Sequence, residues 1–158
     1  MKKIIILTLL VFWCGVAFCQ TPLFRYYNPQ IKKHYYTINF NEFGNGGNGW
    51  NFEGVACQVY PPDFGQPDIA PVFRFFNPQS GDHYYTTGKF ITRRDLFGYR
   101  PEGPVFSVYK HRAPGLRPLL EYYNPQSGDH FYTTNKHELE RGFDGYILDN
   151  IVGFAQPR

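Results

Sequence analysis

The sequence predicts an all-β fold: three internal repeats of about four short strands each, closed as a pseudo-threefold, β-trefoil-like barrel with short helical turns in repeats two and three. Three observations predict it. One motif recurs three times in strict register, and a period of roughly 20–50 residues marks a repeated supersecondary unit. Aromatic residues make up 20% of the 158 residues and charged residues 18%, a balance that suits a packed core and excludes a disordered chain. Sixteen glycines and 13 prolines favour short strands and tight turns over long helices.

The motif is seen most plainly in its first strand, which reads Phe24-Arg25-Tyr26-Tyr27-Asn28-Pro29-Gln30, then Phe73-Arg74-Phe75-Phe76-Asn77-Pro78-Gln79, then Leu120-Glu121-Tyr122-Tyr123-Asn124-Pro125-Gln126. Each copy continues into a second strand: His34-Tyr35-Tyr36-Thr37, His83-Tyr84-Tyr85-Thr86 and His130-Phe131-Tyr132-Thr133. Counted from each His, a Gly follows at 15 (Gly49, Gly98, Gly145), an aromatic at 16 (Trp50, Tyr99, Tyr146) and an acid at 19 (Glu53, Glu102, Asp149). No gap is needed in any copy, so the repeats are set at residues 23–70, 72–117 and 119–158 of one domain spanning 20–158.

Strands one and two join through Asn77-Pro78-Gln79-Ser80-Gly81-Asp82, where Pro78 suits the second turn position and Gly81 a left-handed residue. Copy three repeats that turn at Asn124 to Asp129, whereas copy one has Ile31-Lys32-Lys33, lacks the Gly, and is expected to turn differently. The third strand begins at the Gly–aromatic pair, and the fourth is Val105 to Tyr109 or its equivalent. Asn135, with Glu138 three residues on and Gly142 as a stop, predicts a short helix in copy three. Thr92 and Asp95 predict the same in copy two. The Gly- and Asn-rich stretch Asn41 to Gly49 predicts none. A barrel is favoured because closure removes exposed sheet edges, with a small three-bladed ring as the alternative.

Residues 1–19 read as an export signal: Lys2 and Lys3, then an apolar run from Ile4 to Val16, then Ala17 and Cys19 before the cut. The run is too short for a stable membrane span. Lipoprotein anchoring through Cys19 is disfavoured by Phe18, where such signals carry a small residue. The expected location is therefore secreted, extracellular or periplasmic. Only Cys57 remains in the mature chain, which excludes an internal disulfide and points to a small buried hydrophobe. Setting aside Lys2 and Lys3 lowers the net charge from +3 to about +1, which leaves no electrostatic footprint for nucleic acid.

The string Arg-x-x-Asn-Pro-x-x-Gly-x-His-aromatic-Tyr-Thr, followed by Gly-aromatic and Glu-Gly, resembles the DUF5648 repeat family. Arg74, Asn77, Pro78, Gly81, His83, Tyr84, Tyr85, Thr86, Gly98, Tyr99, Glu102 and Gly103 carry the match most fully. The resemblance implies a secreted module, often attached to extracellular hydrolases, with no catalytic activity of its own. Copy three departs from the pattern, with Glu121 in place of the Arg and Asn150 in place of the Gly after the acid.

The repeated His invites two readings. Each could cap its own hairpin, or His34, His83 and His130 could contact a ligand; a metal-binding His₃ set is the weakest reading, because residues that open a strand after a hairpin fall on the rim. Arg25 with Glu53 and Arg74 with Glu102 share one separation and predict an ion pair closing each repeat. Glu121 and Asp149 are the nearest approach to a hydrolytic carboxylate pair, but no nucleophile elbow, phosphate loop or metalloprotease motif accompanies them. Aromatic rings beside amides and carboxylates suit sugars. The sequence therefore predicts a monomeric, non-catalytic, lectin-like module without cofactor or metal, binding a glycan or extracellular polysaccharide. The expected contacts are Asn77, Asp82, His83, Tyr85, Asn124, Asp129, His130, Tyr132 and His34. A surface protein, met through loops such as Asn41 to Gly49, is the alternative partner.

Overall fold

The computed structural model describes residues 20–88, 98–139 and 145–158. The expected export signal and the short helix expected at Thr92 and Asp95 lie outside the described residues. Each repeat folds as an antiparallel unit with its first strand in the middle. In repeat one, β1 (Thr21–Asn28) lies between β2 (Lys33–Thr37) and β4 (Trp50–Val59), and the two-residue β3 (Gly46–Gly47) pairs with the start of β4. In repeat two, β5 (Ile69–Asn77) lies between β6 (Asp82–Thr86) and β7 (Arg100–Tyr109). In repeat three, β8 (Arg117–Asn124) lies between β9 (Asp129–Thr133) and β10 (Ile147–Pro157).

The two strands expected after each Gly–aromatic pair are one long, bulged strand. Against β5, the register of β7 slips between Val72 and Phe73 and again between Arg74 and Phe75, around Gly103 with φ 99°. A bulge adds a residue and bends the strand without ending it. Repeats two and three therefore supply three described strands each, and the expected barrel does not form. The ten described strands join in one open, branched sheet, ordered β2-β1-β4-β10-β7-β5-β6, with β3 on β4, β8 on β10 and β9 on β8. The long strands meet at their far ends, through Gln58 opposite Gln156, Phe154 opposite Tyr109, and a bridge from Tyr60 to Ser107.

The core lies where the units converge. Leu23, Cys57, Val59, Val72, Phe106, Val108, Leu119, Val152 and Ala155 fill it, with Tyr36, Tyr85 and Tyr132. All five residues of β2, β6 and β9 are buried. Simple alternation predicts one buried face, but both faces of these strands meet neighbouring repeats.

Three local expectations are corrected. The copy-one hairpin keeps the shape of the others, pairing Asn28 with Lys33 as Asn77 pairs with Asp82 and Asn124 with Asp129. Lys32 makes this possible by adopting φ 55°, the left-handed conformation that Gly81 and Gly128 supply elsewhere. The stretch expected to hold no helix opens with a 3₁₀ turn, Phe40–Glu42, whose cap Asn39 accepts a hydrogen bond from the Asn41 N–H. In copy three, Asn135 caps as expected, accepting from the His137 N–H, but the described residues there form a turn.

Candidate functional site

The three second strands are bound to one another through a ring of tyrosines. The Tyr36 N–H donates to the Tyr85 hydroxyl at 2.8 Å, Tyr85 N–H to the Tyr132 hydroxyl at 2.9 Å, and Tyr132 N–H to the Tyr36 hydroxyl at 2.7 Å. In return the Tyr85 and Tyr36 hydroxyls donate to the carbonyls of Tyr36 and Tyr132, both at 3.0 Å. The rings pack edge to face at 5.3–5.5 Å. Burial drives all three hydroxyls well above the usual phenol pKa, so they stay neutral hydrogen-bonding groups. A fully satisfied buried network of this kind favours one arrangement of the strands over its alternatives.

Around the ring, buried acids clasp one repeat to the next. Asp129 accepts the His34 N–H at 2.7 Å through one oxygen; the other lies 2.6 Å from His34 Nδ1 and also accepts the Tyr146 hydroxyl. Asp82 treats His130 and Tyr99 in the same way, with Nδ1 again at 2.6 Å. Burial penalises the Asp82 charge, but His130 and Tyr99 outweigh it and hold the carboxyl below its usual pKa. His34 is likewise opposed by burial, yet Asp129 and Glu53 raise its pKa.

The junction from repeat one to repeat two lacks this clasp. Lys33 stands where the acids stand, and its buried ammonium donates to the carbonyls of Ser127 and Gly128 at 2.5 and 2.7 Å. The Nδ1 of His83 is buried with no hydrogen-bond partner among the described residues. Burial and the Arg74 guanidinium push its pKa down to about 4.

The expected ion pairs form, Arg25 to Glu53 at 2.9 Å and Arg74 to Glu102 at 2.6 Å. They do more than close their own repeats: Arg25 also pairs with Glu138 and lies over the Phe131 ring, and Arg74 lies over Tyr35 and donates to its hydroxyl. In copy three Glu121 is fully buried whereas Asp149 is exposed. Burial pushes the Cys57 thiol up to about 12, which leaves it a hydrophobe in practice.

Of the nine residues expected at the rim, Asn77 is half-buried and the other eight are buried. His34, His130, Asp82 and Asp129 join repeats, Tyr85 and Tyr132 belong to the ring, and His83 lies at the unclasped junction. The His34 and His130 side chains bond to a neighbouring repeat, where capping of their own hairpins was one of the two readings. Asn77 and Asn124 shape their own turns: Asn124 accepts the N–H groups of Gln126 and Ser127 at 2.9 and 3.1 Å. The spaced glycine belongs to this turn in copy two, since a Cβ on Gly98 would sit 3.0 Å from the Asn77 amide.

Asn124 also reaches a cleft that the sequence did not indicate. Tyr27 and Lys32 of repeat one and Asn124, Gln126, Ser127 and Tyr146 of repeat three line a cavity of about 620 Å³. It offers two aromatic rings, two amides and one ammonium, while the Ser127 hydroxyl oxygen is itself buried. A smaller cleft of about 230 Å³ runs beside Arg25, Thr133 and Glu138, where the Arg25 charge is already paired. Among the described residues no group of three His, Cys, Asp or Glu side chains could hold a metal ion, and no helix is long and apolar enough to cross a membrane.

A family model described as a domain of unknown function, DUF5648, matches residues 19–155. No curated protein and no solved structure matches the chain.

Proposed function

The chain belongs to the DUF5648 family, and from that premise we propose that it is a non-catalytic, lectin-like module that binds a glycan in the cleft between repeats one and three. Residues 1–19 would direct its export to an extracellular or periplasmic location. The three repeats act in this reading as blades about a pseudo-threefold axis through the tyrosine ring. That arrangement is the small three-bladed alternative to the trefoil.

One observation carries the proposal: the cleft of about 620 Å³ walled by Tyr27, Tyr146, Asn124, Gln126 and Ser127. Sugars bind through flat apolar faces and fixed hydroxyl partners, and ligand sites in general are concave with a few well-placed polar groups. The amide of Asn124 is held by its turn, so it meets a ligand with little ordering cost. Against catalysis stand the separate settings of Glu121 and Asp149, one buried and one exposed.

The test is a glycan and polysaccharide screen on the purified protein beside Gln126→Ala. Gln126 is exposed and gives its turn only a backbone N–H, so the variant should fold normally and bind at least about tenfold more weakly, the loss of roughly 1.4 kcal/mol. Gln30→Ala and Gln79→Ala, at the matching turns, should bind as the parent does. Binding lost equally in all three variants would move the site out of this cleft.

A protein partner is the second reading. Its support is an apolar group on β10, where Ile147, Leu148 and Ile151 are 62%, 53% and 46% exposed, rather than the loop Asn41 to Gly49.

A further inference from the structure

Resting on the glycan reading, we propose that this cleft takes an acidic saccharide, one bearing a carboxylate or a sulfate ester that meets the ammonium of Lys32. The inference starts from the turn that carries this residue. All three repeats need a left-handed residue at this position, supplied by Gly81 at φ 73° and Gly128 at φ 65°, but by Lys32 at φ 55° in repeat one. Outside glycine that conformation costs stability, and lysine has no short polar side chain to offset the cost by local hydrogen bonding. The fold gains nothing from the substitution, since the register of this hairpin equals that of the other two. Strain retained against an available alternative points to function.

The charge sits where a ligand would find it. Lys32 is exposed, whereas its neighbour Lys33 is only 2% exposed and spends its ammonium on Ser127 and Gly128. Lys32 lines the cleft beside Gln126, Ser127 and Asn124, and it is the one charged group among the described residues that do so. None of the described residues pairs with its ammonium. A neutral sugar needs only the rings and the amides of this cleft. An unpaired cation held at its edge adds attraction for an anion alone, and a lysine ammonium serves carboxylate and sulfate alike as a point charge. Repeats two and three have glycine at the matching turns, so the acid-selective site occurs once per molecule.

Lys32→Gly and Lys32→Gln separate the two parts of the argument. Binding is measured to polygalacturonate, which carries carboxylates, to dextran sulfate, which carries sulfate esters, and to neutral dextran, with melting temperatures alongside. The parent should bind one of the acidic polymers at least tenfold more tightly than dextran, with the preference shrinking at high salt as exposed charges are screened. Lys32→Gln should lose the preference and melt with the parent. Lys32→Gly should lose it and melt at a higher temperature. Which polymer responds tells carboxylate from sulfate. Equal binding of acidic and neutral polymers, or a preference that survives Lys32→Gln, overturns the acidic assignment. The glycan reading then still stands wherever Gln126→Ala weakens dextran binding. A parent that binds none of the polymers, and nothing in the wider screen, overturns both.

Discussion

The junction from repeat three to repeat one and the junction from repeat one to repeat two join hairpins of the same register and differ in chemistry. In the first, Asp129 holds the His34 backbone, the His34 ring and the Tyr146 hydroxyl. In the second, Lys33 replaces the acid, Trp50 replaces the tyrosine, and His83 keeps an unpartnered Nδ1 among the described residues. What holds the second junction is packing. Tyr35 meets the His83 ring edge to face at 4.7 Å, Arg74 lies 4.8 Å over Tyr35, and a methyl group of Ile31 lies against Gly81. The tyrosine ring is common to both. The difference teaches that the ring and the packed aromatics suffice to join two repeats, and that the acid clasp is an addition whose removal is costly only where its donors are already buried.

The largest expected effect breaks the clasp. Asp129→Ala strands a buried N–H, a buried imidazole and a tyrosine hydroxyl, and removing one partner of a buried charged pair costs about 3–5 kcal/mol. Lys33→Ala, at the matching position, should cost clearly less. It removes the cation together with its desolvation penalty, and the carbonyls it leaves belong to half-buried turn residues that water can reach. Urea unfolding of the two variants measures both values. Equal losses would mean that the Lys33 ammonium, through Ser127 and Gly128, ties repeat one to repeat three as strongly as the Asp129 clasp does.

The next effect is on pH dependence, and the two histidines carry opposite signs. His83 has a folded pKa near 4 against an ordinary value of 6.5, so protonation favours the unfolded chain. Its contribution is present above pH 6.5 and is lost as pH falls towards 4, by about 3 kcal/mol at 1.36 kcal/mol for each pKa unit. His34 has a raised pKa, so its contribution is full below 6.5 and is lost as pH rises through the folded value. Melting temperatures of the parent should therefore fall on the acid side of pH 6.5, and His83→Gln should flatten that limb. An acid limb unchanged by this substitution would remove His83 as its cause.

How far these junctions were legible depends on the distance over which the sequence speaks. Residues close in the chain were readable: the hairpins of copies two and three, the left-handed Gly81, and the Arg74–Glu102 pair, whose separation of 28 recurs in copy one. The fused strand was misread because Pro101, Gly103 and Pro104 look like a turn, while the structure uses Gly103 as a bulge within a continuous β7. Neither reading of the histidines, capping of their own hairpins or contact with a ligand, pointed to the clasp, because a repeat pattern fixes position within a copy and says nothing of which copy supplies the partner. The cleft escaped for the same reason, since its walls come from repeats one and three. A signal for it did exist: Lys32 stands where both other copies have glycine.

The finest test tries to turn one junction into the other. In Lys33→Asp, a carboxylate enters at the position from which Asp129 reaches His34 and Asp82 reaches His130, with the His83 Nδ1 as the group it would reach. If register alone determines the clasp, the new acid should bond that nitrogen and lift the His83 pKa from about 4 to above its ordinary 6.5, as Asp129 and Glu53 do for His34. The gain in stability should be small, within about 1 kcal/mol, because a buried ion pair repays little more than its desolvation. Trp50 also brings no hydroxyl to the second oxygen, and the carbonyls of Ser127 and Gly128 lose their donor. The His83 pKa is therefore the sensitive quantity, followed by imidazole proton shifts across a pH titration. A pKa that stays near 4 in a folded variant would show that the aromatic packing around Tyr35 and Trp50, rather than the missing acid, sets this junction apart.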